Sequence, residues 1–131
     1  MNKLIFIYLF IFSLSCFSQR ETDNWFFGDK AGIVFNPDNI SISNKGQIVT
    51  EPGSSSISSN QGDLLFYTNG ATIWNKNHKV MENGEDLIGE AETAQPSIII
   101  PKPKPSKAII ITYTGNNQSV GPTEISLPIK T

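Results

Sequence analysis

The sequence predicts an all-β protein built of short antiparallel meanders, and three observations predict it. Gly and Pro recur at short intervals, with Ser and Asn abundant after residue 36. No stretch sustains a 3.6-residue apolar period, and pairs such as Asn-Gly separate runs rich in Ile, Phe, Tyr and Trp. Chains of short strands joined by turns have this texture.

The first element is not part of that domain. Lys3 supplies a positive charge, and Leu4 to Leu14 run for eleven residues without a charge, Gly or Pro. A bilayer-spanning helix needs about 20 apolar residues, so this run fits the core of a secretory signal peptide over residues 1–18. Cys16-Phe17-Ser18 places small side chains at the −3 and −1 positions of a signal peptidase, and cleavage is expected after Ser18, with Gln19 as the new N-terminus. A competing reading makes Cys16, after Leu14-Ser15, the lipid-attachment cysteine of a bacterial lipoprotein, although Ser13 stands where a large aliphatic residue is preferred. Lipidation would hold the chain on a membrane; cleavage would release it. Either way the rest is expected to be extracytoplasmic, secreted or at the cell surface.

Within residues 19–114, Asn24-Trp25-Phe26-Phe27 is aromatic and β-favouring, and Gly28-Asp29 with Gly32 turns it into a partner over Ala31 to Phe35. Ile40, Ile42, Ile48 and Val49 lie among Ser, Asn, Lys and Gln, with Asn44-Lys45-Gly46 as a turn in the middle, which predicts a polar-faced edge hairpin over 38–53. The strongest local signal follows. Ser55 to Ser58, Leu64 to Thr68 and Ala71 to Asn75 are β-favouring runs joined by Asn60-Gln61-Gly62-Asp63 and by Asn69-Gly70. Asn-Gly is the preferred pair for a two-residue type I′ turn. Leu64 to Tyr67 is apolar on both faces, so this strand should lie mid-sheet with packing on either side.

Lys76-Asn77-His78-Lys79 reads as a turn, Val80-Met81 as a short edge return, and residues 85–95 as an acidic loop, since Gly89 and Pro96 oppose a helix. Ser97 to Ile100 and Ala108 to Tyr113 read as paired strands. Between them Pro101, Pro103 and Pro105 favour an extended connector. Residues 115–131 read as an irregular, poorly specified tail.

Composition narrows the function classes. Loss of Lys3 with the signal leaves 113 residues with nine basic and twelve acidic side chains, a net charge of −3. A mild acidic balance does not favour nucleic acid, whose recognition needs a basic patch. Cys16 is the only cysteine, so a chain cut after Ser18 has no disulfide, thiol nucleophile or thiolate metal ligand.

Three groups of residues, Asn24 to Gly28, then Gly62 to Gly70 with Ile73 to His78, Met81 and Asn83-Gly84, then Gln95 to Pro103, occur in a familiar order and spacing. Over roughly residues 23–113 the chain resembles the N-terminal region of large Bacteroidota cell-surface proteins that end in a gliding-motility-associated or type IX secretion sorting domain. The resemblance implies a partial β-propeller-like fold. At about 40–50 residues per blade there is material for about two, Ser55 to Met81 supplying one blade and Ile98 to Tyr113 beginning the next. It also implies an incomplete member of the family: the sorting domain is absent, the remaining blades would be a partner, and the periplasm would be the destination without that domain.

Candidate chemistry is sparse. His78 is the sole histidine, in a lysine-flanked turn. Asn60 and Asp63 faintly suggest an oxygen-ligand calcium loop but lack an acidic ladder. Glu82, Glu85, Asp86, Glu90 and Glu92 could supply the carboxylate pair of a glycosidase, or simply form a solvated loop. Trp25, Tyr67 and Trp74 could stack on a ligand such as a sugar ring, or fill a core. Gly28, Gly32, Gly62 and Gly70 have no phosphate-binding spacing. No catalytic residue, metal or cofactor is assigned. The expectation is a non-enzymatic segment for adhesion or recognition of a surface polymer or protein; the alternatives are a carbohydrate-active enzyme portion and an inert truncated product.

Overall fold

The computed structural model describes residues 20–49, 53–87, 89, 94–101, 107–113 and 119–126. The expected signal segment with Cys16, Ser18 and Gln19 lies outside them, as do Glu90, Glu92 and most of the proline connector. The described residues contain nine strands and no helix. β1 (Asn24–Phe26), β2 (Gly32–Phe35) and β3 (Ile40–Ser43) form a first antiparallel sheet. β4 (Ser55–Ser58), β5 (Leu64–Thr68) and β6 (Ile73–Asn75) form a second, and β7 (Ser97–Pro101), β8 (Lys107–Tyr113) and β9 (Ser119–Ser126) a third. Each sheet is a meander with its strands in sequence order, so all pairing is local. There are three sheets against the two blades expected, because residues 24–43 make a sheet of their own.

β5 is the centre of the molecule, as its two-sided apolar character predicts. On one side Phe66 packs with Ile57, Ile73 and Ile110, flanked by Leu65, Met81, Leu87 and Ile99, which joins the second sheet to the third. On the other Tyr67 packs with Phe26 and Ile48, flanked by Leu64 and Trp74, which joins the second sheet to the first. A register shift between Ile57↔Phe66 and Ser58↔Leu64 leaves Leu65 as an extra residue. This bulge sends Leu65 to the Phe66 core and Leu64 to the Tyr67 core, where strict alternation would put Leu64 with Phe66 and Leu65 with Tyr67.

The first strands of successive sheets are neighbours: β1 lies beside β4 and β4 beside β7. Serine hydroxyls stitch both seams. Ser56 Oγ donates to the Asn24 carbonyl (2.6 Å) and Asn24 Nδ2 donates to Ser58 Oγ (3.0 Å). Ser55 Oγ donates to the Ser97 carbonyl (2.7 Å), and Ser97 Oγ donates back to Ser55 Oγ (3.1 Å). The short polar side chains at these positions satisfy groups that the tight sheet-to-sheet approach removes from water.

Three sequence expectations change. Asn69-Gly70 is not a two-residue turn: Thr68 pairs with Ile73, which leaves a four-residue loop in which Gly70 has φ +91°. Asn69 contributes its side chain rather than a left-handed backbone, Oδ1 accepting from the N–H groups of Ala71 (3.1 Å) and Thr72 (2.9 Å). A Cβ at Gly70 would lie 2.7 Å from Pro96 Cβ and 2.8 Å from its carbonyl oxygen, so this glycine also admits the lead-in to β7.

The hairpin expected over 38–53 does not close. β3 pairs with β2, after which the chain crosses Lys30, whose N–H donates to the Ile48 carbonyl (2.8 Å) while Gly46 N–H donates to the Lys30 carbonyl (3.1 Å). Full burial of Ile48 beside Phe26 and Tyr67 outweighs a second, solvated edge strand.

Residues 119–126 of the expected tail form β9 on β8. Gly121-Pro122 reads as a break, but it falls in a register shift between Thr112↔Val120 and Ile110↔Thr123. An irregularity there removes the need for a ladder hydrogen bond from Pro122.

Candidate functional site

The strand register of the first sheet collects large apolar side chains on its outer face. Trp25 opposes Ile33, which opposes Ile42, and Phe35 opposes Ile40. These five share one parity; Asn24, Phe26, Gly32 and Val34 take the other, and Phe26 enters the core beneath. Ile42 is 82 % exposed, Ile40 66 % and Trp25 48 %, while Ile33 and Phe35 are partly covered. The Trp25 and Phe35 rings meet edge to face, centroids 5.3 Å apart, which fixes the indole on the surface.

Two shallow hollows flank this platform. One, of about 300 Å³, is lined by Arg20, Asp23, Phe35, Asn36 and Pro37; the other, of about 230 Å³, by Trp25, Phe26, Phe27, Ser54 and Ser56. Arg20 Nε is bound to Asp23 Oδ2 at 2.7 Å, so its charge is internally matched. The face thus has polar groups at its rim and none in its centre.

Neither protein-family models, curated proteins nor solved structures yield a match to this chain. Its function must therefore be argued from the surface itself.

The three aromatic candidates separate. Trp25 is presented to solvent. Tyr67 is fully buried, stacked between Phe26 (4.6 Å, 20°) and Trp74 (5.4 Å, 19°), and Trp74 is half-buried against the same core. Tyr67 is therefore a core group, and the stacking role open to it in the sequence is taken by protein rings. Its hydroxyl accepts from the Gln47 N–H and contacts His78 Nδ1, both at 3.1 Å. Burial pushes the phenol up to about 12, against a smaller opposing effect of the Gln47 N–H. The phenol therefore keeps its proton at neutral pH, and the direction of its hydrogen bond with Nδ1 follows the tautomer of the imidazole.

His78 sits in the predicted turn at φ +59°, but its ring turns inward, 5.3 Å from that of Phe26. Burial first, and the positive charge of Lys45 second, hold its pKa below 6.5. The unfolded chain then binds this proton more readily than the fold does. The stability contributed by neutral His78 is complete above the unfolded value and is lost as pH falls through it toward the lower folded value. Thermal melts should be level from pH 8 to about 7 and fall below about 6.5, the ordinary histidine range. His78→Gln should flatten that segment; an unchanged profile in the variant would assign the acid loss elsewhere.

The other candidates are not brought together. In the turn with Asn60 and Asp63, Ser59 Oγ accepts from the N–H groups of Gln61 and Asp63 (both 3.2 Å), so a serine hydroxyl braces its main chain. Glu82, Glu85 and Asp86 are exposed. Among the described residues no cluster of three potential metal ligands occurs, and no helix is long and apolar enough to cross a membrane.

Proposed function

We propose that this chain is a non-enzymatic, extracytoplasmic recognition module of propeller-like architecture, and that it meets protein partners through the outer face of its first sheet. The observation that carries this is the row Trp25, Ile33 and Ile42 with the pair Phe35 and Ile40. Contiguous apolar patches of this kind are uncommon on proteins that work alone and mark interaction surfaces. A sugar polymer would require free hydrogen-bonding groups along the stacking surface; the centre of this face has none, and the two serines beside Trp25, Ser54 and Ser56, already donate to the main-chain carbonyls of Phe26 and Asn24. An apolar protein face requires only shape. Surface adhesion, type IX export and membership of the Bacteroidota surface-protein group rest on the sequence resemblance, and the leader-like residues 1–18 support an address outside the cytoplasm.

Photo-crosslinking in producing cells tests the proposal. A benzophenone amino acid at position 42 should give a protein adduct that is absent when the same probe replaces Lys79, an exposed residue of the His78 turn. Absence of any protein adduct at 42, or an adduct to polysaccharide alone, would overturn it.

A further inference from the structure

We infer that the protein partner adds a strand to the open edge of β3: an extended segment, apolar at alternate positions, that continues the first sheet as its next strand. The inference rests on the proposal that the outer face of the first sheet binds protein, and it names the mode of binding and the chemistry of the partner.

The hydrogen-bonding parity of the first sheet leads to that edge. Phe27 N–H donates to the Ala31 carbonyl (3.0 Å) and Phe35 N–H to the Asp23 carbonyl (2.8 Å), so the odd-numbered residues of β2 turn their main chain toward β1. Gly32 and Val34 therefore face β3, and Asn36 N–H, which donates to the Asn39 carbonyl (2.8 Å), continues that order. Their partners Ser43 and Ser41 take up these bonds. In an antiparallel ladder the intervening residues point their N–H and C=O groups the other way, and on β3 these are Ile40 and Ile42. Among the described residues no main-chain group bonds to either of them.

The third strand of the second sheet, β6, shows a covered edge in the same chain. Its outward residues are Ile73 and Asn75. Ile73 donates to the Gly84 carbonyl (2.7 Å) and accepts from Met81 N–H (2.9 Å), while Asn75 N–H donates to the Lys79 carbonyl (2.8 Å). There the chain returns along the strand and saturates it. After β3 it leaves instead for Lys30 and the core, where Ile48 is buried. Open edges are commonly blunted by Lys, Pro or a bulge. β3 reads Ile-Ser-Ile-Ser, and its register against β2 has no shift.

The side chains define the partner. Ile40 and Ile42 carry the unpaired main-chain groups and also the most exposed apolar side chains of the outer face. A residue that exchanges bonds with Ile42 projects its own side chain onto that face, and extends the row Trp25, Ile33 and Ile42 by one. A residue two positions along does the same beside Ile40. The residue between them falls on the opposite face beside Ser41, which is exposed, so a polar side chain suits it. Asp38 and Lys45, both exposed, stand before and after the strand and favour opposite charges at the two ends of the added segment. Main-chain bonds then supply affinity and the alternating side chains selectivity, as in other strand additions.

The test uses the full chain, expressed from its first codon and purified as the host processes it. A displayed library of randomised short peptides is selected against it, and a selected peptide is the probe. Selected peptides should be apolar at alternate positions with opposite charges at their ends. By NMR hydrogen exchange the Ile40 and Ile42 amides should be open in the free protein and slow by about tenfold or more with the peptide bound. N-methylation of every second peptide residue should weaken binding about tenfold or more in one phase and less than about threefold in the other, because only one edge of an added strand is bonded. Ile42→Pro removes an outward donor and spares the ladder to β2. It should weaken binding about tenfold or more, and Ile42→Val less than about threefold. No selected binder, amides of Ile40 and Ile42 already protected in the free chain, or equal loss in both N-methylated phases would overturn strand addition. Any of these with the protein adduct at position 42 intact would leave the recognition role standing, since side chains can dock without a strand; loss of that adduct as well would remove both.

Discussion

Phe66→Ala should destabilise the fold by about 3–5 kcal/mol, the usual range for truncating a fully buried aromatic. Phe66 has no exposed surface and lies mid-strand in β5, where it touches Ile57 and Ile73 within its own sheet and Ile110 of the third. The void cannot be filled by a simple collapse of neighbours. Ile57 and Ile73 are held in register by main-chain pairing, and Ile110 belongs to a sheet whose first strand is pinned to β4 by the Ser55 and Ser97 hydroxyls. In a domain of this size the loss corresponds to a fall in Tm on the order of 15 °C. Thermal and urea melts of the purified chain would measure it. Trp25→Ala, on the exposed face, should cost well under half as much in a monomer. Equal losses at the two positions would mean that the outer face of the first sheet is as deeply buried in solution as the core.

The second sheet was legible in the sequence because each of its determinants is local. Leu64 to Tyr67 announces a two-sided strand, and Gly62 and Gly70, both at positive φ, stand at its ends. Ile48 was not legible in the same way. Its surroundings are polar, and only the approach of Phe26 and Tyr67, 22 and 19 positions away in the chain, makes burial worth more than a hairpin. β9 was missed for a related reason, since Gly121-Pro122 breaks a strand only when the strand is judged alone, and β8 supplies a partner with an irregularity where the proline falls. The site divides along the same line. Trp25, Phe26 and Phe27 are consecutive aromatics, so alternation says nothing about which faces water until the register with Ile33 is known. Once it is, Trp25, Ile33, Phe35, Ile40 and Ile42 fall on one parity, a pattern that could have been sought in the sequence by testing each hairpin register for an all-apolar face. The inward ring of His78 left no such trace, because a turn residue has no periodicity to read.

Tyr67 offers a second large effect, one that separates packing from hydrogen bonding. Tyr67→Ala should cost about 3–5 kcal/mol, since it removes a fully buried ring from between Phe26 and Trp74. Tyr67→Phe keeps that stack and deletes only the hydroxyl. It should still cost about 1–3 kcal/mol, the range for stranding a buried polar partner, because the Gln47 N–H loses its acceptor and His78 Nδ1 its hydrogen-bond partner. The two variants also differ at alkaline pH. The phenol is pushed from 10 up to about 12 in the fold, so the fold holds this proton more tightly than the unfolded chain does. Its contribution is complete below pH 10 and is lost as pH rises from there through about 12. Urea titrations at pH 7 and pH 11 should therefore show the wild type losing stability on the alkaline side and Tyr67→Phe losing measurably less. An equal alkaline loss in both would place the responsible group among the lysines or the other tyrosines, and would leave the Tyr67 hydroxyl as a hydrogen-bonding partner without a titrating role.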